Sequence, residues 1–355
     1  MNLESPLSAW VRRLTESGGL TADLATRVQE SLVRGDLGPE GTCALAQAVL
    51  AAGDPKAAGK LVDAVLAADP EAAVAHALRG LLLSLVGQGE QGLAAVQHAL
   101  SLAPERDDLY ETLTADQMGP RGRETGWSLL TGALDRRPCQ PACYQRAARA
   151  YQRAGEGTRA LELLERAVQR EGGDIDLREA LAQAYLGVGR FEEAIAQCRE
   201  ILWRAPRRLP VLELMGGAYL QAGRLPEAVE ALRQQVRLTP MDPTVHFRLG
   251  ALCHQLGRYW EALTAFSHVC SLAPESDLAA AAEEAVGAID NFQFQRIAVL
   301  ASEDQQFRLK VGRNAAEALA EYGFHLSSTA FALVQMLDFD GLVETLRAPV
   351  PVTHH

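Results

Sequence analysis

The residues best equipped for chemistry crowd towards the last third of the chain, where His246, Cys253, His254, His268 and Cys270 fall within 25 residues. Imidazoles and thiolates at such density are the raw material of a zinc site, but the spacing fits no zinc pattern. On a helix, residues three or four apart share a face and others do not. By that rule His246 and Cys253 point into the protein, His254 points elsewhere, and His268 and Cys270 belong to a second helix. None of the six cysteines forms a C-x-x-C pair. That usage points to reduced thiols in a cytosol, and Cys139 and Cys143, on either side of Pro141, read as a buried thiol pair. Paired carboxylates at Glu192–Glu193 and Glu283–Glu284 fall on exposed helix surface. No nucleophile elbow, phosphate loop or dinucleotide fingerprint occurs. The residues predict a non-catalytic chain with no metal and no cofactor.

Binding chemistry has a better footing. Gln145, Arg146, Arg149, Gln152 and Arg153 follow helical spacing, and three guanidiniums on one face can grip carboxylates through paired hydrogen bonds. The competing reading is a solvated strip that neutralises itself against Asp108 and Glu111 before it and Asp176 and Glu179 after it. Further along, Glu179, Gln183, Leu186, Glu213, Leu220, Phe247 and His254 recur on the same helical face. Apolar Leu186, Leu220 and Phe247 there mark either a partner surface or packing against neighbouring helices.

These residues must be positioned by a repeat. Gly216 recurs as Gly250, Ala228 as Ala262 and Pro240 as Pro274, each 34 residues on. Counting from Pro39 gives units at 39–72, 73–106, 107–140, 141–174, 175–208, 209–242 and 243–276. The eighth position reads Ala46, Gly80, Thr114, Ala148, Ala182, Gly216, Gly250. The twentieth reads Ala58, Gly92, Gly126, Ala160, Ala194, Ala228, Ala262. A period of this length denotes a helix–turn–helix unit stacked on its neighbours. Small residues at two positions let two antiparallel helices cross closely, and the proline near position thirty-two ends the second helix. Tyr151, Tyr185 and Tyr219 fill the eleventh position, and Leu164, Leu232 and Phe266 the twenty-fourth.

This pattern resembles the tetratricopeptide repeat (TPR) over about two-thirds of the chain. The match is weakest at 107–140, where Gln117 takes the aromatic position and the loosest packing is expected. The resemblance implies an all-α, right-handed α-solenoid of TPR helical hairpins whose first helices line a concave face. It also implies a test for one ligand mode, the grip on chaperone C-terminal carboxylates through Lys and Asn at positions five and nine. Here those pairs read Cys43/Gln47, Ala77/Leu81, Glu111/Ala115, Gln145/Arg149, Glu179/Gln183, Glu213/Gly217 and Phe247/Ala251, so binding to such tails is not expected.

The ends differ in kind. Residues 1–38 read as an N-terminal helical cap, 277–291 as a solvating helix that covers the last repeat, 292–345 as a small helical module and 346–355 as a disordered tail. In the module Ser302, Asn314 and Ser327 or Ser328 are the expected helix caps. Phe307–Arg308, Ala318–Leu319, Tyr322–Gly323, Leu326–Ser327 and Leu337–Asp338 resemble a module of extradiol dioxygenase small subunits and of modified-peptide leaders. Net charge is −11 over 355 residues, a poor basis for nucleic-acid binding. The start has no signal-like apolar run and no stretch is long enough to insert in a membrane, so a cytoplasmic place is expected. The expected function is an adaptor that holds a protein or peptide partner in the concave face of 141–276. The alternative makes the repeats a docking arm for a leader-like module read by a peptide-modifying or dioxygenase-type partner, and self-association is a third possibility.

Overall fold

The computed structural model describes residues 38–115, 119–136 and 140–337. The expected N-terminal cap, Gln117, Cys139 and the tail lie outside these residues. The described residues are all-α, with no strand. The chain divides into two compact units, one ending at Gln197 and one beginning at Cys198, and each is taken by itself.

In the first unit α1 (Pro39–Ala51) pairs with α2 (Pro55–Ala68), α3 (Ala73–Leu85) with α4 (Gly89–Leu102), α5 (Asp107–Thr114) with α6 (Gly119–Arg136) and α7 (Pro141–Arg153) with α8 (Gly157–Arg170). Then come α9 (Ile175–Gly187) and α10 (Phe191–Arg204). In the second unit α11 (Leu209–Gln221) pairs with α12 (Leu225–Leu238), and α13 (Pro243–Gln255) with α14 (Tyr259–Leu272). First helices start at 39, 73, 107, 141, 175, 209 and 243, every 34 residues.

The turn inside each hairpin has a residue-level cause. Gly53, Gly87, Gly155, Gly189, Gly223 and Gly257 all have φ between +71° and +89°, a left-handed conformation that costs glycine nothing. The next residue's N–H then bonds back to the last turn, as Arg224 to Tyr219 O at 2.8 Å and Arg258 to Cys253 O at 2.8 Å. The third unit has Arg121 at this place. Its first helix stops after 8 residues and its second starts early and runs for 18. The hairpin is nonetheless packed, because Leu109, Tyr110, Leu113, Leu130 and Leu134 are fully buried. The expected looseness is therefore confined to helix lengths and does not reach the core.

A second recurring device joins one hairpin to the next. In four units the fourth residue hydrogen-bonds the carbonyl six residues back, just past the preceding helix. His76 Nε2 reaches Pro70 O at 2.8 Å, Tyr110 Oη reaches Pro104 O at 2.8 Å, Arg178 Nη2 reaches Gly172 O at 3.0 Å and His246 Nε2 reaches Pro240 O at 2.9 Å. The carbonyl of the turn that follows each of these helices is thus satisfied by a side chain of the next unit.

Beyond the repeats the structure departs from the sequence reading. A single helix, α15 (Asp277–Glu303), runs for 27 residues through the boundary expected at 291. Ala279, Ala282, Ile289, Gln293, Ile297 and Ala301 form its buried stripe, so one apolar face serves α14 at one end and the module at the other. Ser302 lies inside α15, and the side chain of Asp304 caps α16 (Gln305–Arg313) instead. Asn314 caps α17 (Ala315–Glu321) and Ser327 caps α18 (Ser328–Met336), both as expected. Phe307, Val311, Leu319, Phe324 and Val334 close the module's core on Ile297 and Ala301. Asp290 on α15 accepts hydrogen bonds from Ser327 N at 2.8 Å and Ser327 Oγ at 2.5 Å, fixing the α18 end to the helix.

Candidate binding faces of the first helices

The arginine strip on α7 is divided by its neighbours. Arg146 pairs with Asp107 at 2.5 Å, and Arg153 pairs with Glu111 and lies 3.7 Å from Asp107. Asp107, which the sequence reading passed over, is therefore the central acid. Asp108 turns the other way, to Arg106 at 2.5 Å. Arg149 is exposed and forms no ion pair among the described residues. Gln145 is half-buried and Gln152 exposed. The three guanidiniums thus do not converge. Two are neutralised against α5, and Arg149 is left to face solvent with Gln152. Such exposed pairs contribute about 0–1 kcal/mol each and hold orientation more than stability.

The same face of the first unit forms a half-open cavity of about 850 Å³ that the sequence reading did not foresee. Glu40, Cys43, Ala44 and Gln47 of α1, Arg106 with Asp108, Glu111 and Thr112 of α5, and Ala150 and Arg153 of α7 line it. Two contacts reach across it from α1, Gln47 Nε2 to Thr112 Oγ1 at 2.7 Å and Arg106 Nη2 to Glu40 Oε1 at 3.1 Å. Glu40, Asp69, Asp108 and Glu111 face Arg106 and Arg153 there, so the lining is net acidic. Burial pushes the Cys43 thiol up to about 11. The cavity's sequence signal was the small residues Ala44, Ala72, Ala73 and Ala150 around it, which taken singly looked like helix filler. On α9, Glu179 and Leu186 are half-buried and Gln183 is exposed.

In the second unit Glu213 is exposed and Leu220 is 39% exposed on α11. Phe247 is half-buried because its ring packs edge-on against Phe266 of its own hairpin, 5.6 Å between centroids. His254 lies 6.2 Å from the Tyr259 ring. The apolar residues of this face are therefore divided too, with Leu220 open and Phe247 mostly an internal packing residue. The His and Cys residues take separate partners, except that His246 and His268, expected to face apart, meet. His246 bonds Pro240 O and stacks near His268 at 5.0 Å, Cys253 Sγ lies 3.6 Å from Glu261 Oε2, and Cys270 Sγ lies 3.9 Å from Ala279 O. Among the described residues no three His, Cys, Asp or Glu side chains gather as a metal site would require.

The hairpin length, the small residues at the crossing and the proline that ends each unit are matched by three family models. They are described as tetratricopeptide repeat over 152–216, TPR repeat over 216–257 and tetratricopeptide repeat over 243–276. Residues 152–276 of this chain are tetratricopeptide repeats. No curated protein matches it. Among solved structures, MamA 41-end from Desulfovibrio magneticus RS-1 is 19% identical and covers 49% of this chain and 98% of its own, with a TM-score of 0.38. MamA of strain AMB-1 is 20% identical over 60% of this chain and 98% of its own, with a TM-score of 0.38. The human IFIT1 dimer with m7Gppp-AAAA is 18% identical over 83% of this chain and 72% of its own, with a TM-score of 0.37. TPR units are protein-interaction scaffolds, and no described helix here is long and apolar enough to cross a membrane.

Proposed function

We propose that this TPR protein is a non-catalytic adaptor that holds an extended peptide segment against the first-helix faces of its hairpins. The cavity between α1, α5 and α7 carries this reading. It has room for several side chains, and its walls offer hydroxyl, amide, carboxylate and guanidinium groups to a polar backbone. The net acidic lining favours a segment with a basic side chain inside, and exposed Arg149 on α7 offers a separate anchor for an acidic one. Peptide selection from a displayed library on the full chain, followed by fluorescence anisotropy of the best binder, tests this. Ala44→Trp fills the cavity from a half-buried position and should weaken binding at least tenfold with the melting curve unchanged. Equal affinity in that variant would count against the reading.

The second proposal gives the working role to the C-terminal module, read by a peptide-modifying or dioxygenase-type enzyme. Leu333 and Met336, 54% and 75% exposed one turn apart on α18, support it. Because α15 passes through Asn291, removal of everything beyond that residue would cut a packed helix. Leu333→Glu with Met336→Glu is the cleaner discriminator. Loss of partner capture in that pair, with peptide binding intact, would favour the module.

A further inference from the structure

One face of α15 carries open apolar side chains between opposite charges. Phe292, Arg296, Val299, Leu300 and Glu303 line a shallow groove of about 400 Å³ floored by Phe324. The spacing of four, three and four from 292 to 303 puts Phe292, Arg296, Val299 and Glu303 on one helical stripe. Phe292 is 45% and Val299 58% exposed, more apolar surface than a helix face turned to water normally carries. Arg296 lies over the Phe292 and Phe324 rings, at 5.8 and 5.4 Å. Among the described residues it has no carboxylate partner, and Glu303 has no cation.

A cation and an anion, both unpaired and placed on either side of an apolar centre, satisfy the condition for a two-fold contact, in which residue i meets j and j meets i. Two antiparallel copies of α15 with the axis between Val299 and Leu300 set Arg296 of one copy against Glu303 of the other, twice. The same arrangement closes Val299 over Leu300 at the crossing. We propose that α15 is a homodimer interface and that its occupant is a second copy of this chain, joined by reciprocal Arg296–Glu303 pairs. None of the residues changed in its test lines the cavity of the adaptor reading, so the two are tested independently.

Sedimentation equilibrium of the full chain over a hundredfold concentration range should show a reversible monomer–dimer equilibrium that weakens with added salt. Arg296→Glu alone and Glu303→Arg alone each place like charges face to face, and each should raise the dimer dissociation constant at least tenfold. The double reversal restores opposite charges and should recover most of that loss, with far-ultraviolet circular dichroism melts alike for all four proteins. A chain that is monomeric throughout overturns the proposal. So does a dimer that neither single reversal weakens, which would place the contact or the groove's occupant elsewhere. Single reversals that the double fails to rescue overturn it as well.

Discussion

At single residues the repeat positions that look alike are not alike. A Cβ on Gly126 would lie 2.0 Å from the backbone oxygen of Leu113, and one on Gly92 would lie 2.6 Å from Gly80 O. Neither backbone can give way; at Gly126 the helices touch through main chain alone, and at Gly92 Ser84 Oγ also crowds the position. A Cβ on Gly216 would meet only Gln235 Nε2 at 3.5 Å and Ala231 Cβ at 3.7 Å, ordinary contacts. Gly126→Ala should therefore destabilise by about 1–3 kcal/mol through overpacking. Gly216→Ala should stabilise by up to about 1 kcal/mol, because alanine orders more easily in a helix. Urea unfolding of the two variants checks both signs. Thiols offer a second residue-scale test. Burial holds Cys43 and Cys253 near 11, so little of either is thiolate at neutral pH. Iodoacetamide labelling of the folded protein, read by mass spectrometry, should leave both largely unmodified at pH 7.5 and accelerate as pH rises towards 11.

At the scale of the element, the hairpin turn has a polar clasp that recurs by position with varied chemistry. Arg190 lies over the Tyr185 ring and pairs with Glu193 at 2.9 Å, and Tyr185 donates to Glu165 at 2.7 Å. Arg224 lies over Tyr219 and pairs with Glu227 at 2.7 Å. In the fourth unit the charges are exchanged, with Glu156 at the arginine's place and Arg159 pairing to it at 3.0 Å. The hydrogen bonds from Arg190 and Arg224 hold the Glu193 and Glu227 carboxyls below the usual glutamate value of 4.5. A carboxyl depressed in the folded state stabilises it fully above its unfolded value, and the benefit is lost as pH falls through the folded one. The chain should therefore lose stability below about pH 4.5. Glu193→Gln with Glu227→Gln should flatten that slope in denaturation curves taken between pH 6 and pH 3.

The hairpins were legible in the sequence because their marks are local. Small residues at the crossing, proline at the end and tyrosine inside repeat at one spacing, and each acts within its own unit. The turn glycines at 53, 87, 155, 189, 223 and 257 were equally legible and went unread. The binding faces were less so. Whether Arg146 and Arg153 are free depends on Asp107 and Glu111 in the preceding unit, and helical spacing within α7 carries no information about α5. Phe247 looked like a groove residue for the same reason, since its contact with Phe266 depends on a rotamer and not on register. The α15 boundary was misread because Asn291 and Ser302 resemble stop and start signals, and only the buried stripe through Ile289, Gln293 and Ile297 reveals continuity.

For the whole molecule, packing between neighbours dominates. Within each unit, helices rest on their hairpin partner and on the next hairpin, as α3 on α4 and α4 on α6 in the first and α13 on α14 and α14 on α15 in the second. Stability in such an array is a sum of unit and interface contributions. Phe266 is 1% exposed in the last hairpin, and Phe266→Ala should cost about 3–5 kcal/mol. Hydrogen exchange should then rise across α13, α14 and α15 and stay unchanged in α1 to α4. Uniform loss of protection would show a chain that unfolds as one block.

The continuity of α15 has a consequence for how this chain can vary in length. Loops absorb an added residue, but a rigid helix passes it on. One extra residue between Ile289 and Ile297 would turn everything beyond it by about 100° and advance it by about 1.5 Å. Ile297 and Ala301 would swing off the module's core while Ala279 and Ala282 kept their seat, and the tie from Asp290 to Ser327 would be out of line. Seven residues would bring the two faces back within about 20° of phase. The helix therefore works as a geared shaft, on which the angle of the module is set by a count of residues.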